Sequence, residues 1–232
     1  MEKLFDRYKE SYSDRIQQSI AFSGLKHEFF TRSKVERISS FARRNFASPV
    51  AIKVLDVGCG IALIDKSLAP KFKELHGIDV SEESIAMARI NDPIGQYQAY
   101  DGQRIPYRDG EFDLVLVINV LHHIPPPELE RFVGEVGRVV RPGGALLVFE
   151  HNPFNPLTRR AVRLCEFDEG AVLLRRARVE RLCETAGLYT VGSSYMLFFP
   201  FSTALTRKIE SALSWCPLGA QYLVAAKKSL GC

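Results

Sequence analysis

At 232 residues, 46% hydrophobic and 25% charged, the chain can bury one substantial core, as a single α/β domain of ordinary size requires. A net charge of +4 is small for this length and reads as a solvated surface, so composition points to no nucleic-acid partner. The five cysteines, Cys59, Cys165, Cys183, Cys216 and Cys232, form no C-x-x-C pair and no zinc spacing with histidine, which predicts reduced thiols in a cytoplasmic protein.

The N-terminal MEKLFDRYKESYSDR never reaches an apolar run of signal-peptide length, and no stretch approaches the roughly 18 apolar residues of a transmembrane segment. The first 46 residues predict amphipathic helices, with Phe5, Tyr8, Tyr12, Ile16 and Ile20, then Phe29, Phe30, Val35, Ile38 and Phe41 at steps of three and four, broken near Ser23-Gly24. From residue 50 the rhythm is strand, turn, helix: a strand at 53–57, a helix from Ile61, a strand at 75–79, and a helix capped by Ser81 with Glu82 and Glu83 in its first turn. A short strand follows at 96–100 and another within 111–124. Pro125-Pro126-Pro127 then starts a helix through Val140, and Pro142-Gly143-Gly144 turns the chain into an apolar strand at 145–149. Residues 151–160, HNPFNPLTRR, read as a loop, 178–186 as a helix ended by Gly187, and 190–201 and 219–228 as the last two strands. About 18 residues separate those strands, with a helical, partly apolar stretch at 202–215.

The most informative segment is VLDVGCG at 54–60, followed by HGIDV at 76–80. Gly58 and Gly60 lack a Cβ, so the chain can turn sharply and a ligand can lie against backbone N–H groups. Asp79 ends the second strand at the spacing where the dinucleotide fingerprint places its ribose-binding carboxylate. The pattern describes a nucleotide-like ligand at the mouth of a parallel sheet. Leu63 stands where that fingerprint asks for a third small residue, which counts against the runner-up enzyme, an NAD(P)-dependent Rossmann oxidoreductase.

Asp56, Gly58 and Gly60 resemble motif I of the class I S-adenosylmethionine (SAM)-dependent methyltransferases, with Ala62 in place of a frequent third glycine. The resemblance continues in order through Asp101-Gly102, EFDLVLVINVLHHI at 111–124 and RVVRPGGALLVFE at 138–150, and it is similar to the small-molecule, type 11-like members. It implies an α/β fold with a Rossmann-like, doubly wound, seven-stranded sheet, mostly parallel with a C-terminal antiparallel hairpin. One domain over 1–232 is implied, divided into an N-terminal helical cap (1–46), a SAM-binding core (50–150), and substrate-side elements with the hairpin (151–232). In the family such a cap often covers the cofactor; packing on the outside of the sheet is the equal alternative. The implied cofactor is S-adenosyl-L-methionine, held by Asp56, Gly58, Cys59, Gly60, Asp79, Val80, Asp101, Gly102 and Asn119, with Asp79 on the ribose and Asp101 against the adenine amino group.

With the methyl already activated on a sulfonium, the chemistry needs a held nucleophile, excluded water and a base, and no metal is required. Ligands lie beyond the carboxyl ends of strands in open α/β sheets. His151, expected in a loop after the fifth strand, is therefore the first candidate base and His123 the second. His122 reads as pocket-shaping, Asp168 as a weaker candidate, and backbone hydrogen bonding by His151 as the alternative to catalysis. Asn119-Val120-Leu121-His122 is not the Asn-Pro-Pro-aromatic turn common among enzymes acting on base or amide nitrogens. The arginines from Arg159 to Arg181 are interleaved with Glu166, Asp168, Glu169 and Glu180, which suits a solvated helix face. The acceptor is expected to be a small molecule, hydrophobic or lipid-linked, methylated on O or N, with the 202–217 segment walling its pocket; packing of that segment's apolar face on the sheet is the equal alternative. A SAM-binding subunit without catalysis is the alternative from another class, and oligomeric state is open.

Overall fold

The computed structural model describes residues 27–199 and 203–230. The helices expected before residue 27, the break at Ser23-Gly24, and Cys232 lie outside the described residues. Seven strands form one sheet in the order β3-β2-β1-β4-β5-β7-β6. In chain order these are β1 (Lys53–Val57), β2 (Glu74–Asp79), β3 (Gln96–Ala99), β4 (Phe112–Ile118), β5 (Val140–His151), β6 (Leu188–Met196) and β7 (Gln221–Lys228). The first five pair in parallel, whereas β7 inserts antiparallel between β5 and β6. The expected mixed sheet with its C-terminal antiparallel pair is what forms.

The helices are α1 (His27–Asn45), α2 (Asp65–Leu68), α3 (Glu82–Asn91), α4 (Leu129–Val139), α5 (Pro156–Leu164), α6 (Arg176–Thr185) and α7 (Ala204–Ala212). The central strands alternate their side chains between two buried clusters. Leu55, Val115, Val117, Leu146 and Val148 meet α4 and α6 on one face, and Val54, Leu114, Leu116, Leu147 and Phe149 meet α1 and α3 on the other. Strands covered on both faces are apolar almost throughout, which is why β4 and β5 read as continuous runs. Phe132, Val133, Val136 and Val139 give α4 its buried stripe. Val35, Ile38, Phe41 and Ala42 pack the later turns of α1 onto the sheet, while Phe29, Phe30, Thr31 and Lys34 on its first turns line the main cavity.

Four local expectations change. No long helix begins at Ile61: Gly60 and Ala62 both have positive φ (52° and 60°), so the chain turns tightly before the single turn of α2. Pro142-Gly143-Gly144 does not interrupt the sheet; it sits inside β5, where the pairing with β4 shifts register between Phe112 and Leu114. His151 is the last residue of β5, paired with Gln221, and not a loop residue. The 151–160 stretch holds the start of α5, whose N-cap Asn155 accepts from Thr158 N and whose first residue is Pro156. Asparagine then proline is also a helix start, and the turn reading overlooked it.

Candidate active site

The C-terminal ends of β1, β2, β4 and β5 open on one cavity of about 860 Å³. Every residue expected to hold the cofactor lines it: Asp56, Gly58, Cys59, Gly60, Asp79, Val80, Asp101, Gly102 and Asn119. Gly58 has φ +81°, and a Cβ there would lie 2.4 Å from Val120 Cγ2, so no other residue fits the turn. Asp79 is fixed at the end of β2, its Oδ2 accepting from Gly60 N (2.9 Å) and its Oδ1 from Ser81 N (3.0 Å). Asp101 forms a turn by accepting from Gln103 N (2.8 Å) and Arg104 N (3.0 Å) through Oδ1. Those two amides hold its carboxyl below the usual carboxylate range.

Asp56 is buried at the end of β1. Burial, with the Asp79 carboxylate nearby, pushes its carboxyl up to about 7. Asp56 Oδ1 and Asn119 Oδ1 are buried without partners, and Asn119 sits at φ +57°. Two unpartnered acceptors beside a fixed strand-end carboxylate suit a ligand that brings an amino group and a ribose, and SAM carries both. Lys34, unnoticed in the sequence, is the only lysine or arginine among the described residues that line the cavity. It is 4% exposed, and burial lowers its ammonium to about 8 while Glu150 and Asp56 pull the other way.

Beyond the glycine turn the cavity holds three imidazoles. His122 is buried; its Nδ1 lies 2.6 Å from Glu150 Oε2, and Glu150 Oε1 accepts from Leu121 N (2.7 Å). Asp168 comes from a short 3₁₀ turn at Glu166–Asp168, tied to the other side of the cavity by Val172 N donating to His122 O (2.8 Å). Burial opposes a charge on His122, yet the Glu150 and Asp168 carboxylates outweigh it and hold the imidazole at about 10. Burial and that neighbouring charge push His123 and His151 down to about 4. The His122 and His151 ring centroids are 5.0 Å apart. Both candidate bases therefore line the cavity as neutral imidazoles, and Glu150 and Asp168 form a carboxylate pair around the third. The sequence had put each of these residues forward as a candidate; their mutual distances come from the fold.

No residue of α7 lines this cavity among the described residues; Thr206, Glu210 and Ser211 line a second cleft against α1. Leu197, Phe198 and Phe199 at the exit of β6 line the cavity on this side.

Comparison with known proteins agrees with this geometry. The family described as "Methyltransferase domain" matches residues 55–148. A methyltransferase of Synechocystis sp. is 35% identical over 121 residues, 52% of this chain and 57% of that protein. The ubiquinone biosynthesis O-methyltransferase of Azoarcus sp. is 28% identical over 198 residues, 76% of this chain and 78% of that one. A SAM-dependent methyltransferase structure from Thermotoga maritima superposes with a TM-score of 0.70 at 18% identity, covering 98% of this chain and 99% of that one, a likeness of fold. The matched motifs and the sheet together define a class I SAM-dependent methyltransferase. The chain is an enzyme of that class, and its cofactor is S-adenosyl-L-methionine.

Proposed function

We propose that the chain transfers the SAM methyl to the hydroxyl oxygen of a small hydrophobic acceptor, lipid-linked acceptors included. The observation that carries this is the continuity of one cavity from Asp56, Asp79 and Asp101 to the imidazoles, with Ile124, Phe132, Val162, Phe167 and Phe198 around the far end. The ubiquinone biosynthesis O-methyltransferases among the relatives support oxygen over nitrogen. No helix among the described residues is long and apolar enough to cross a membrane.

SAM supplies an activated methyl on its sulfonium. Asp79 takes the ribose hydroxyls, Asp101 the adenine amino group, Asp56 and Asn119 the methionine ammonium, and Lys34 the methionine carboxylate. His151 takes the acceptor's proton. Its Nδ1 lies 3.4 Å from Gln221 Nε2, and Gln221 Oε1 is buried without a partner. Turning that amide by half a revolution lets Gln221 Oε1 accept from His151 Nδ1–H and leaves the His151 Nε2 lone pair for the acceptor's proton.

Radiolabelled methyl transfer from SAM to a panel of hydroxylated aromatics, with and without prenyl chains, beside matched amines, tests the assignment. Hydroxyl acceptors should be methylated, the apolar ones with lower KM; transfer to amines alone refutes it. His151→Gln should lower kcat by about 10²–10⁴ with SAM affinity unchanged. Full turnover in that variant removes His151 from the reaction.

A further inference from the structure

We propose that His122, His123 and Asp168 form a binding site for a divalent, zinc-type cation whose open coordination position faces the acceptor end of the cavity. His122 Nε2 lies 3.4 Å from Asp168 Oδ1, and His123 Nε2 lies 3.5 Å from the same oxygen. Bonds of about 2.0–2.2 Å at tetrahedral angles separate neighbouring donor atoms by roughly 3.3–3.6 Å. Two of the three ligand edges thus already have the coordinated length, and the third is at most 4.8 Å.

A second observation is independent of those spacings. His122 is 2% exposed, and its Nε2 is buried with no hydrogen-bond partner. Its other nitrogen is held by Glu150 Oε2 at 2.6 Å, the carboxylate–histidine pairing that orients imidazole ligands toward a metal. The supporting frame is stiff: Glu150 also accepts from Leu121 N, and the His122 carbonyl accepts from Val172 N (2.8 Å), which joins the two turns that carry the ligands. Two carboxylates, Glu150 and Asp168, flank the ligand nitrogens, and a dication would displace the proton from His122 and balance their charge. Two imidazoles and one carboxylate, with a fourth position open, is the ligand count of catalytic rather than structural zinc sites.

The sequence offered no metal pattern because the ligands come from turns after β4 and after α5, far apart along the chain. A cation here would hold an acceptor hydroxyl and lower its pKa, easing the proton's departure to His151. That use rests on the acceptor reading above; the binding itself does not.

Chelator-stripped protein titrated with Zn²⁺ by calorimetry tests the site. One Zn²⁺ per chain should bind with a Kd of about 1 μM or tighter. Asp168→Asn and His123→Gln should each weaken it at least about tenfold, with circular dichroism and SAM binding confirming the fold. X-ray absorption should show nitrogen and oxygen ligands only. No saturable binding up to about 100 μM, undiminished affinity in both variants, or a sulfur shell from the cysteines would overturn the site. Zinc binding at these residues with turnover indifferent to stripping overturns the acceptor role and leaves the site standing. Zinc binding here with no transfer to any hydroxyl refutes the acceptor reading alone.

Discussion

Lys34 shows how one residue can cost the fold what it gives the site. An ammonium lowered from 10.5 to about 8 by burial implies a penalty on the order of 3 kcal/mol for keeping it charged. Between pH of about 8 and 10.5 the unfolded chain binds the proton that the folded chain has lost, so stability falls as pH drops through that window and the full cost is present below it. Lys34→Met should therefore raise the melting temperature near pH 7 and weaken SAM binding, measured by thermal unfolding and calorimetry on the same samples. A variant that gains stability and keeps its SAM affinity would move Lys34 out of the cofactor site. Asp79 poses the opposite case. A strand-end carboxylate reads from sequence as idle until a ribose arrives, yet it already anchors Gly60 N and Ser81 N. Asp79→Asn should cost about 10–150-fold in SAM affinity, the worth of charged hydrogen bonds of about 1.5–3 kcal/mol. Asp79→Ala should also lower the melting temperature, because two backbone donors lose their acceptor. Unchanged affinity in Asp79→Asn would exclude the ribose pose.

Among the elements, the described side chains of α7 line a second cleft against α1 and not the main cavity. The α7 N-terminus is closed by a capping box between Thr203 and Thr206, and its described side chains reach the cavity indirectly. Glu210 Oε1 accepts from Phe198 N at 2.9 Å, and Tyr195 N donates to Ser214 O at 2.7 Å, so the helix and the turn after it hold the β6 exit that carries Leu197, Phe198 and Phe199. Glu210→Ala should raise KM for the acceptor while SAM affinity stays constant, as steady-state kinetics and calorimetry would show; an unaltered KM would make the contact a matter of packing. On the other side of the site, Asn152 Nδ2 donates to Pro217 O (2.9 Å) and Gly219 O (2.7 Å), and Thr158 Oγ1 donates to Ala220 O (2.8 Å). The start of α5 is thus stitched to the approach to β7. A stretch rich in proline and asparagine looks like a loop when such partners, more than sixty residues away in sequence, cannot be seen.

For the whole molecule, the proposed cofactor contacts link binding to folding, because Asp56, Asp79, Asp101 and Asn119 converge only when β1, β2 and β4 lie side by side and the chain after β3 folds over their ends. At a free SAM concentration of 100 times Kd the folded state gains about 2.7 kcal/mol, which for a chain of this size is a rise in melting temperature of roughly 5–10 °C. A scan that shifts with SAM and not with NAD agrees with this site; a shift with NAD alone contradicts it. The order of strands and helices over 50–150, the glycine turn and the acids at strand ends were determined by the sequence itself, since hydrophobic period, caps and turn chemistry act over a few residues. Those local signals placed each expected cofactor residue at the mouth of the sheet. Only the tertiary structure decided which distant groups share that mouth. Lys34 arrives from α1, Asp168 from the turn after α5, and Gln221 from β7, and their meeting depends on β7 lying antiparallel beside β5 and on α1 crossing the sheet with its first turns over the cavity. Burial then sets the charges: it pushes His123 and His151 down, helped by the charge on His122, while at His122 attraction and hydrogen bonding from Glu150 and Asp168 outweigh it.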